Sequence, residues 1–264
     1  MNIPEGKKIY FASDFHMGAP DLTSSRLREQ QIVSWLDFAA RDAAEIYLVG
    51  DVFDFWFEYA RVIPKGFARL QGKLAEITDA GIPVHFFSGN HDMWGLDYFK
   101  DELGLILHRD PISVNYNGKD FYIGHGDGLG PGDSTYKMLK KIFRNPLCQW
   151  LFARIHPNLG VGIASGWSNK SRARSHEEEV FQGMDKEWLA IYAREVLQRS
   201  FYDYFIFGHR HLPLDLLLDG KSRYINLGEW MTFRSYAVFD GTKLGLEYWN
   251  KDIAPTLAAM PKIS

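Results

Sequence analysis

Short apolar runs that end in an acidic residue recur along the first ninety residues: KKIYFASD (7–14), AEIYLVGD (44–51) and IPVHFFSGNHD (82–92). Between them, Arg26 to Ala39 and Lys65 to Asp79 place Leu27, Ile32, Trp35 and Leu36, then Phe67, Leu70, Leu74 and Ile77, at helical spacing. Strand and helix alternate, which predicts βαβαβ units with parallel strands. Further on, the runs ISVNYN, KDFYIGHGD, YDYFIFGHRH, KSRYINLGEW, RSYAVFDG and KLGLEYW have little helix between them outside 134–200, so the second half is expected to pair more antiparallel. The stretch 134–200 reads as a mostly helical insertion, which Pro146 divides into separate helices. No repeat, low-complexity tract or linker interrupts the pattern, and residues 1–264 are expected to form a single domain.

Composition narrows the class. With 264 residues, 46% hydrophobic and 24% charged, the chain can bury a sizeable core, and disordered or fibrous readings are excluded. Its one cysteine, Cys148, rules out a disulfide framework and makes a reducing compartment the default. The N-terminus lacks the apolar run of a signal peptide and no stretch of about 18 apolar residues occurs, so neither a membrane span nor an export signal is expected. Charge is uneven: residues 134–175 carry +8 with no Asp or Glu, within a chain of net charge −3. A basic block in an otherwise acidic protein points to phosphate groups or an anionic membrane surface.

The candidate chemistry falls at predicted strand ends, where α/β sheets place ligand sites. Five clusters do so: Asp14-Phe15-His16, Gly50-Asp51-Val52-Phe53-Asp54, Gly89-Asn90-His91-Asp92, Gly124-His125-Gly126-Asp127 and Gly208-His209-Arg210-His211. Gathered carboxylates repel and buried polar groups without partners are costly, so convergence of these ends calls for bound cations. Imidazole with carboxylate suits Mn²⁺, Fe²⁺ or Zn²⁺ better than the all-oxygen shells of Ca²⁺ and Mg²⁺. Asp14, His16, Asp51, Asn90, His125, His209 and His211 suffice for two divalent ions if Asp51 bridges them, the usual clamp for phosphoester hydrolysis. Asp54 and Asp127 are expected to orient ligands, and His85, His108, His156 and His176 to be structural or superficial.

In this order, over residues 7 to about 245, the motifs resemble those of the calcineurin-like metallophosphoesterases. The resemblance implies an α/β, four-layer sandwich, with two mixed sheets face to face and helices outside. It also implies two metal sites: Asp14, His16, Asp51 and His211 for one, Asp51, Asn90, His125 and His209 for the other. Within the family, local features are similar to the diphosphatases that cleave UDP-2,3-diacylglucosamine in lipid A biosynthesis. Asp133 lies eight residues past His125, Ser165, Asn169 and Arg172 resemble their Ser-x3-Asn-x2-Lys pattern, and Leu227-Gly-Glu-Trp230 resembles their Leu-Gly-x-Trp stretch. Substrate contacts are thereby implied for Asn90, His91, Asp133, Ser165, Asn169, Arg172 and His209, and manganese is the implied metal. One departure is His91, where those enzymes typically carry arginine.

Two cations sharing Asp51 are expected to deliver hydroxide in line to phosphorus, and for the lipid A substrate the resemblance implies attack at the α-phosphorus, releasing UMP and 2,3-diacylglucosamine 1-phosphate. His91, if protonated, is expected to stabilise the developing charge or protonate the departing oxygen, with Asp92 favouring its imidazolium. Along 136–155, Met138, Leu139, Ile142, Phe143, Leu147, Trp150, Leu151, Phe152 and Ile155 interleave with Lys137, Lys140, Lys141, Arg144 and Arg154. That composition suits either a basic amphipathic element that lies at an anionic interface or lines an acyl-chain groove, or a helix pair packed on the core with charges outward. The expectation is a cytoplasmic enzyme held peripherally at the inner membrane, acting on a nucleotide-activated glycolipid. Another phosphoester substrate, a nuclease of the same fold and a metal-free scaffold are the alternatives. The net charge of −3 disfavours nucleic acid.

Overall fold

The computed structural model describes residues 1–95, 97–131, 134–163, 166 and 180–249. One sheet has the order β11(Leu244–Tyr248), β10(Ser235–Phe239), β1(Lys8–Ala12), β2(Ala43–Leu48), β3(Val84–Phe87), β4(Ile106–His108). The other runs β5(Ile112–Tyr116), β6(Lys119–Ile123), β7(Tyr204–Phe207), β9(Arg223–Leu227), β8(Pro213–Leu217). Strands β1 to β4 are parallel, as are β6, β7 and β9, while β10 and β11 in one sheet and β5 and β8 in the other pair antiparallel.

Period-two alternation sorts the strand residues into layers. Tyr10, Ala12, Ile46, Leu48, Val84 and Phe86 face α1(Leu22–Ala40) and α2(Ala68–Asp79), meeting Ile32, Trp35, Leu36, Leu70 and Leu74 in one core. Their neighbours Ile9, Phe11, Tyr47, Val49 and Phe87 point the other way and meet Phe121, Ile123, Ile206, Ile225 and Leu227 of the second sheet. Phe205, Phe207 and Tyr224 then face Leu189, Ala190 and Ala193 of α6(Trp188–Leu197). Three apolar clusters separate four layers, which is the sandwich the resemblance implies.

Several local expectations are corrected. Helix α1 begins at Leu22, where Asp21 caps the Thr23 and Ser24 amides, each at 2.9 Å, four residues before the expected start. Leu27, expected in the core, is 59% exposed, and its neighbour Arg28 is buried instead. Helix α2 starts at Ala68 rather than Lys65, because Phe67 is left-handed at φ 57° and two amides of the first turn are taken by Glu29 of α1. Strands β4 and β8 lay outside the predicted set. The first has three residues, and the second opens with a proline that only an edge strand accommodates.

In the insertion, Asn145 caps α5(Pro146–Phe152), with Pro146 in the first turn, and separates it from α4(Ser134–Phe143). Phe143 and Phe152 pack on Trp94, whose indole N–H donates to Phe143 O at 2.8 Å. Two of the basic side chains turn back onto the sandwich, Lys140 to Asp127 (2.6 Å) and Arg144 to Asp110 (2.8 Å).

Candidate metal centre

The parallel strands β1, β2, β3, β6 and β7 all end on one edge, so Asp14, Asp51, Asn90, His125 and His209 leave the sheets side by side. Five of the seven candidate ligands hold a left-handed backbone: Asp14 (φ 55°), His16 (43°), Asp51 (51°), His209 (68°) and His211 (54°). Each such residue costs about 1–3 kcal/mol and persists only where the surroundings over-determine it. Here the ligand loops hold one another. Asp14 N donates to Gly50 O (3.0 Å), His16 N to Asp51 O (3.0 Å), Trp230 N to Asp14 O (3.2 Å) and His209 N to the Asp14 carboxylate (3.0 Å).

Besides a group of His16, Asp54 and His91, the side chains form two overlapping groups that share a carboxylate. In the first, Asp14, His16, Asp51 and His211 bring one ligand atom each within 4.8 Å of the others, and Asp51, His125 and His209 do the same in the second. Asp51 is common to both. His16 Nε2 lies 3.0 Å from His211 Nε2 and 3.6 Å from Asp14 Oδ1, and His125 Nε2 lies 3.3 Å from both Asp51 Oδ2 and Asn90 Oδ1. His125 Nδ1 donates to Val49 O at 2.8 Å, which fixes the tautomer and turns Nε2 toward the shared carboxylate. Two buried and two half-buried imidazoles with two buried carboxylates at this spacing, converging from two sheets, form a centre suited to cations.

The calcineurin-like phosphoesterase family matches residues 7–213 of this sequence. The chain belongs to this family. Among proteins similar to this phosphoesterase is a UDP-2,3-diacylglucosamine hydrolase of Porphyromonas gingivalis, 42% identical over 91% of this chain and 97% of its own length. Another of that name, from Shewanella putrefaciens, is 27% identical over 94% and 98% of the two chains. Among solved structures, vacuolar protein sorting 29 of Cryptosporidium parvum covers 92% of this chain and 97% of its own at 14% identity, with a TM-score of 0.44.

Electrostatics at the phosphoesterase centre favour charge on the carboxylates. Burial opposes it, yet His125 and His91 hold Asp51 well below the usual carboxylate range, and His16 and His211 do the same for Asp14. His125 is pushed up to about 10, because Asp51, Asp14 and Asp127 outweigh its burial. Burial and the neighbouring His125 push His209 down to about 4. The His125 ring is thus the partner of the Asp51 carboxylate, a part that a divalent cation held here would take over. Asp14 Oδ1 is buried without a hydrogen-bond partner, 3.3 Å from His211 Nε2. That orphaned oxygen and the mixed nitrogen and oxygen donors fit divalent transition metals.

The remaining predicted residues divide. Asn90 borders the group of Asp51, His125 and His209, and His91 belongs with His16 and Asp54: His91 N donates to Asp51 Oδ1 (2.9 Å) and its Nδ1 to Asp54 O (2.9 Å). Burial pushes the His91 imidazole down to about 4, away from the protonated form on which its expected role depends, and His16, His211 and His125 push it the same way against Asp51. Asp92 departs from expectation as well. Its carboxylate accepts the amides of Val52 (2.8 Å), Phe53 (3.3 Å) and Gly89 (2.8 Å), which ties the β2 and β3 loops together, and burial beside Asp51 raises it to about 7. Asp54 lies 3.5 Å from His16 Nδ1. Asp133, Ser165, Asn169 and Arg172 lie outside the described residues.

Supporting residues escaped the sequence reading in that part. Asn226 donates to Gly208 O at 2.5 Å under the His209 loop, and Glu229 collects the amides of Met231, Thr232 and Phe233 beside Trp230. A buried polar side chain that serves backbone groups leaves no spacing signal.

Proposed function

We propose that this protein cleaves the diphosphate of UDP-2,3-diacylglucosamine, giving UMP and 2,3-diacylglucosamine 1-phosphate. The observation that carries the reading is the 42% identity to the hydrolase of that name over 91% of the chain. The uncovered share is smaller than the insertion, so the likeness extends past the strand-end motifs into the part that differs between phosphoesterases.

In this reading Asp14, His16, Asp51 and His211 hold one divalent ion and Asp51, Asn90, His125 and His209 a second, with manganese, iron and zinc all compatible with the donors. Such ions, when bound, supply the Lewis acidity that makes hydroxide available at neutral pH and offsets phosphoryl charge. The chain supplies the geometry. Asp51 is fixed by the His91 amide, His125 by Val49 O, and both strand-end loops by Asp92, so the ligands need no rearrangement when substrate arrives. His91, neutral and donating to Asp54 O, positions the loop that carries Asn90. Asp133, Ser165, Asn169 and Arg172 are assigned to substrate binding on the resemblance.

The lipid part of the substrate calls for an apolar, basic surface. On α4 and α5, Met138, Ile142, Leu147, Trp150 and Leu151 are exposed, with Arg154 over the Trp150 ring at 4.5 Å. No helix among the described residues is long and apolar enough to cross a membrane. The reading is peripheral contact of this face with the anionic cytoplasmic leaflet.

Release of UMP from UDP-2,3-diacylglucosamine in detergent micelles with Mn²⁺, compared with UDP-glucose and bis-p-nitrophenyl phosphate, tests it. Selective turnover of the lipid is expected. Turnover of the generic ester alone would retain a metal-dependent hydrolase and reject the lipid substrate.

A further inference from the structure

We infer that Arg28 is a positioning residue for the metal centre, clamping the β1 loop that carries Asp14 and His16; the inference rests on the assignment of those two side chains as ligands. Arg28 projects from α1 and is buried. Its Nε donates to Phe15 O at 2.7 Å, and one Nη donates to His16 O at 2.7 Å and Ala19 O at 2.5 Å. One turn earlier on the same helix, Ser25 Oγ accepts the Gly18 amide at 2.8 Å.

Most backbone polar groups of this loop have hydrogen-bond partners. The amides of Asp14, His16 and Met17 go to Gly50, Asp51 and Val52, and Asp14 O accepts from Trp230 N. The carbonyls of Phe15, His16 and Ala19 go to Arg28. All three residues are buried, so without the guanidinium Phe15 O loses the donor seen here, and His16 O keeps only the Ala19 amide at 3.1 Å. Both ligand positions of this loop are left-handed, at φ 55° and 43°, and relaxation would swing the side chains away from Asp51 and His211. A planar fork with several donors meets successive carbonyls at once, and a lysine ammonium on its flexible stem reproduces only part of this. Arg28 thus acts on the metals through backbone geometry, without touching them or the substrate.

The test uses full-length protein and Mn²⁺ as the probe. Metal affinity is measured by calorimetric or electron paramagnetic resonance titration, and thermal stability in chelator, for wild type, Arg28→Met, Arg28→Lys and Ile32→Val. The last trims a fully buried core residue on the same helix and controls for general loosening. Arg28→Met is expected to bind Mn²⁺ about 10- to 100-fold more weakly, the usual loss when a ligand's supporting hydrogen bond is removed. Arg28→Lys should fall between, and Ile32→Val should lower the melting temperature with unchanged Mn²⁺ affinity. The Mn²⁺ concentration for half-maximal hydrolysis of bis-p-nitrophenyl phosphate should shift by the same factor. If Arg28→Met does not fold, Arg28→Lys is judged by the same criterion. Unchanged affinity in the Arg28 variants, or an equal loss in Ile32→Val, overturns the inference alone. A wild type that takes up no Mn²⁺ overturns it together with the metal assignment.

Discussion

Gly208 and Asp14 approach each other so closely that a Cβ on residue 208 would stand 2.5 Å from Asp14 Oδ2. The same relationship holds twice more, between Gly89 and Asp51 Oδ1 at 2.1 Å and between Gly50 and His125 Nδ1 at 2.4 Å. Each glycine precedes one strand-end ligand and makes room for another. Gly208→Ala should therefore displace Asp14, with a stability cost of about 1–3 kcal/mol from overpacking and a loss of metal-dependent hydrolysis of about 100-fold, the scale set by a small misplacement of a reacting group. Gly162→Ala, where an added Cβ meets nothing within 4 Å, serves as the neutral comparison. Equal activity in the two variants would contradict this account.

His91 separates two chemistries. Its Nδ1 donates to Asp54 O and burial pushes the ring down to about 4, so a neutral imidazole is present at pH 7. His91→Gln is expected to lower kcat by about tenfold, well under the 10²–10⁴ of a lost general acid, and to leave the alkaline limb of the kcat profile in place. Disappearance of that limb in the variant would restore His91 as a proton donor.

A second titratable network sits between the sheets, away from the metal centre. Glu45 Oε2 accepts from Tyr47 (3.0 Å), Tyr116 (2.5 Å) and His85 (3.1 Å), and His85 Nδ1 meets His108 Nε2 at 2.8 Å. Although burial opposes it, His85 and Tyr116 hold the Glu45 carboxyl below its ordinary 4.5. A carboxyl lowered by folding stabilises above its unfolded pKa and loses that contribution as pH falls through the folded value. Glu45→Gln should be less stable than wild type by about 1–3 kcal/mol at pH 7, with the gap narrowing below about pH 4.5. Urea denaturation at pH 7 and pH 3 measures both, and a gap independent of pH would refute the role.

The exposed face of α5 predicts membrane behaviour. Leu147→Ser with Trp150→Ser removes two exposed apolar side chains, each contributing about 1.5–3 kcal/mol when fully buried. Co-sedimentation with phosphatidylglycerol vesicles should fall at least tenfold, and bis-p-nitrophenyl phosphate hydrolysis should be unchanged. Undiminished sedimentation would place the membrane contact elsewhere.

How far the sequence could be read follows from what each signal depends on. The ligand clusters were legible because each ends an apolar run, and the sandwich followed from alternation that splits Ile9 and Phe11 from Tyr10 and Ala12. Residues whose work is done on backbone groups were not. Leu27 fitted the helical stripe and faces solvent, while Arg28 broke it and is buried, because three carbonyls of the neighbouring loop satisfy its charge-bearing fork. Asp92 resembled a catalytic partner of His91 in sequence, and only the fold reveals that its oxygens hold three amides. The short β4 and the proline-initiated β8 were missed because three residues and a proline carry too little period-two signal.

The central claim is that Asp51 joins two metal sites at the strand ends. Its most direct test is the number of Mn²⁺ ions bound per chain by wild type, Asp14→Asn and Asp51→Asn, measured by metal analysis after equilibrium dialysis. The account predicts two for wild type, one retained in Asp14→Asn and neither held at the same concentration in Asp51→Asn. Two ions bound by folded Asp51→Asn would contradict it.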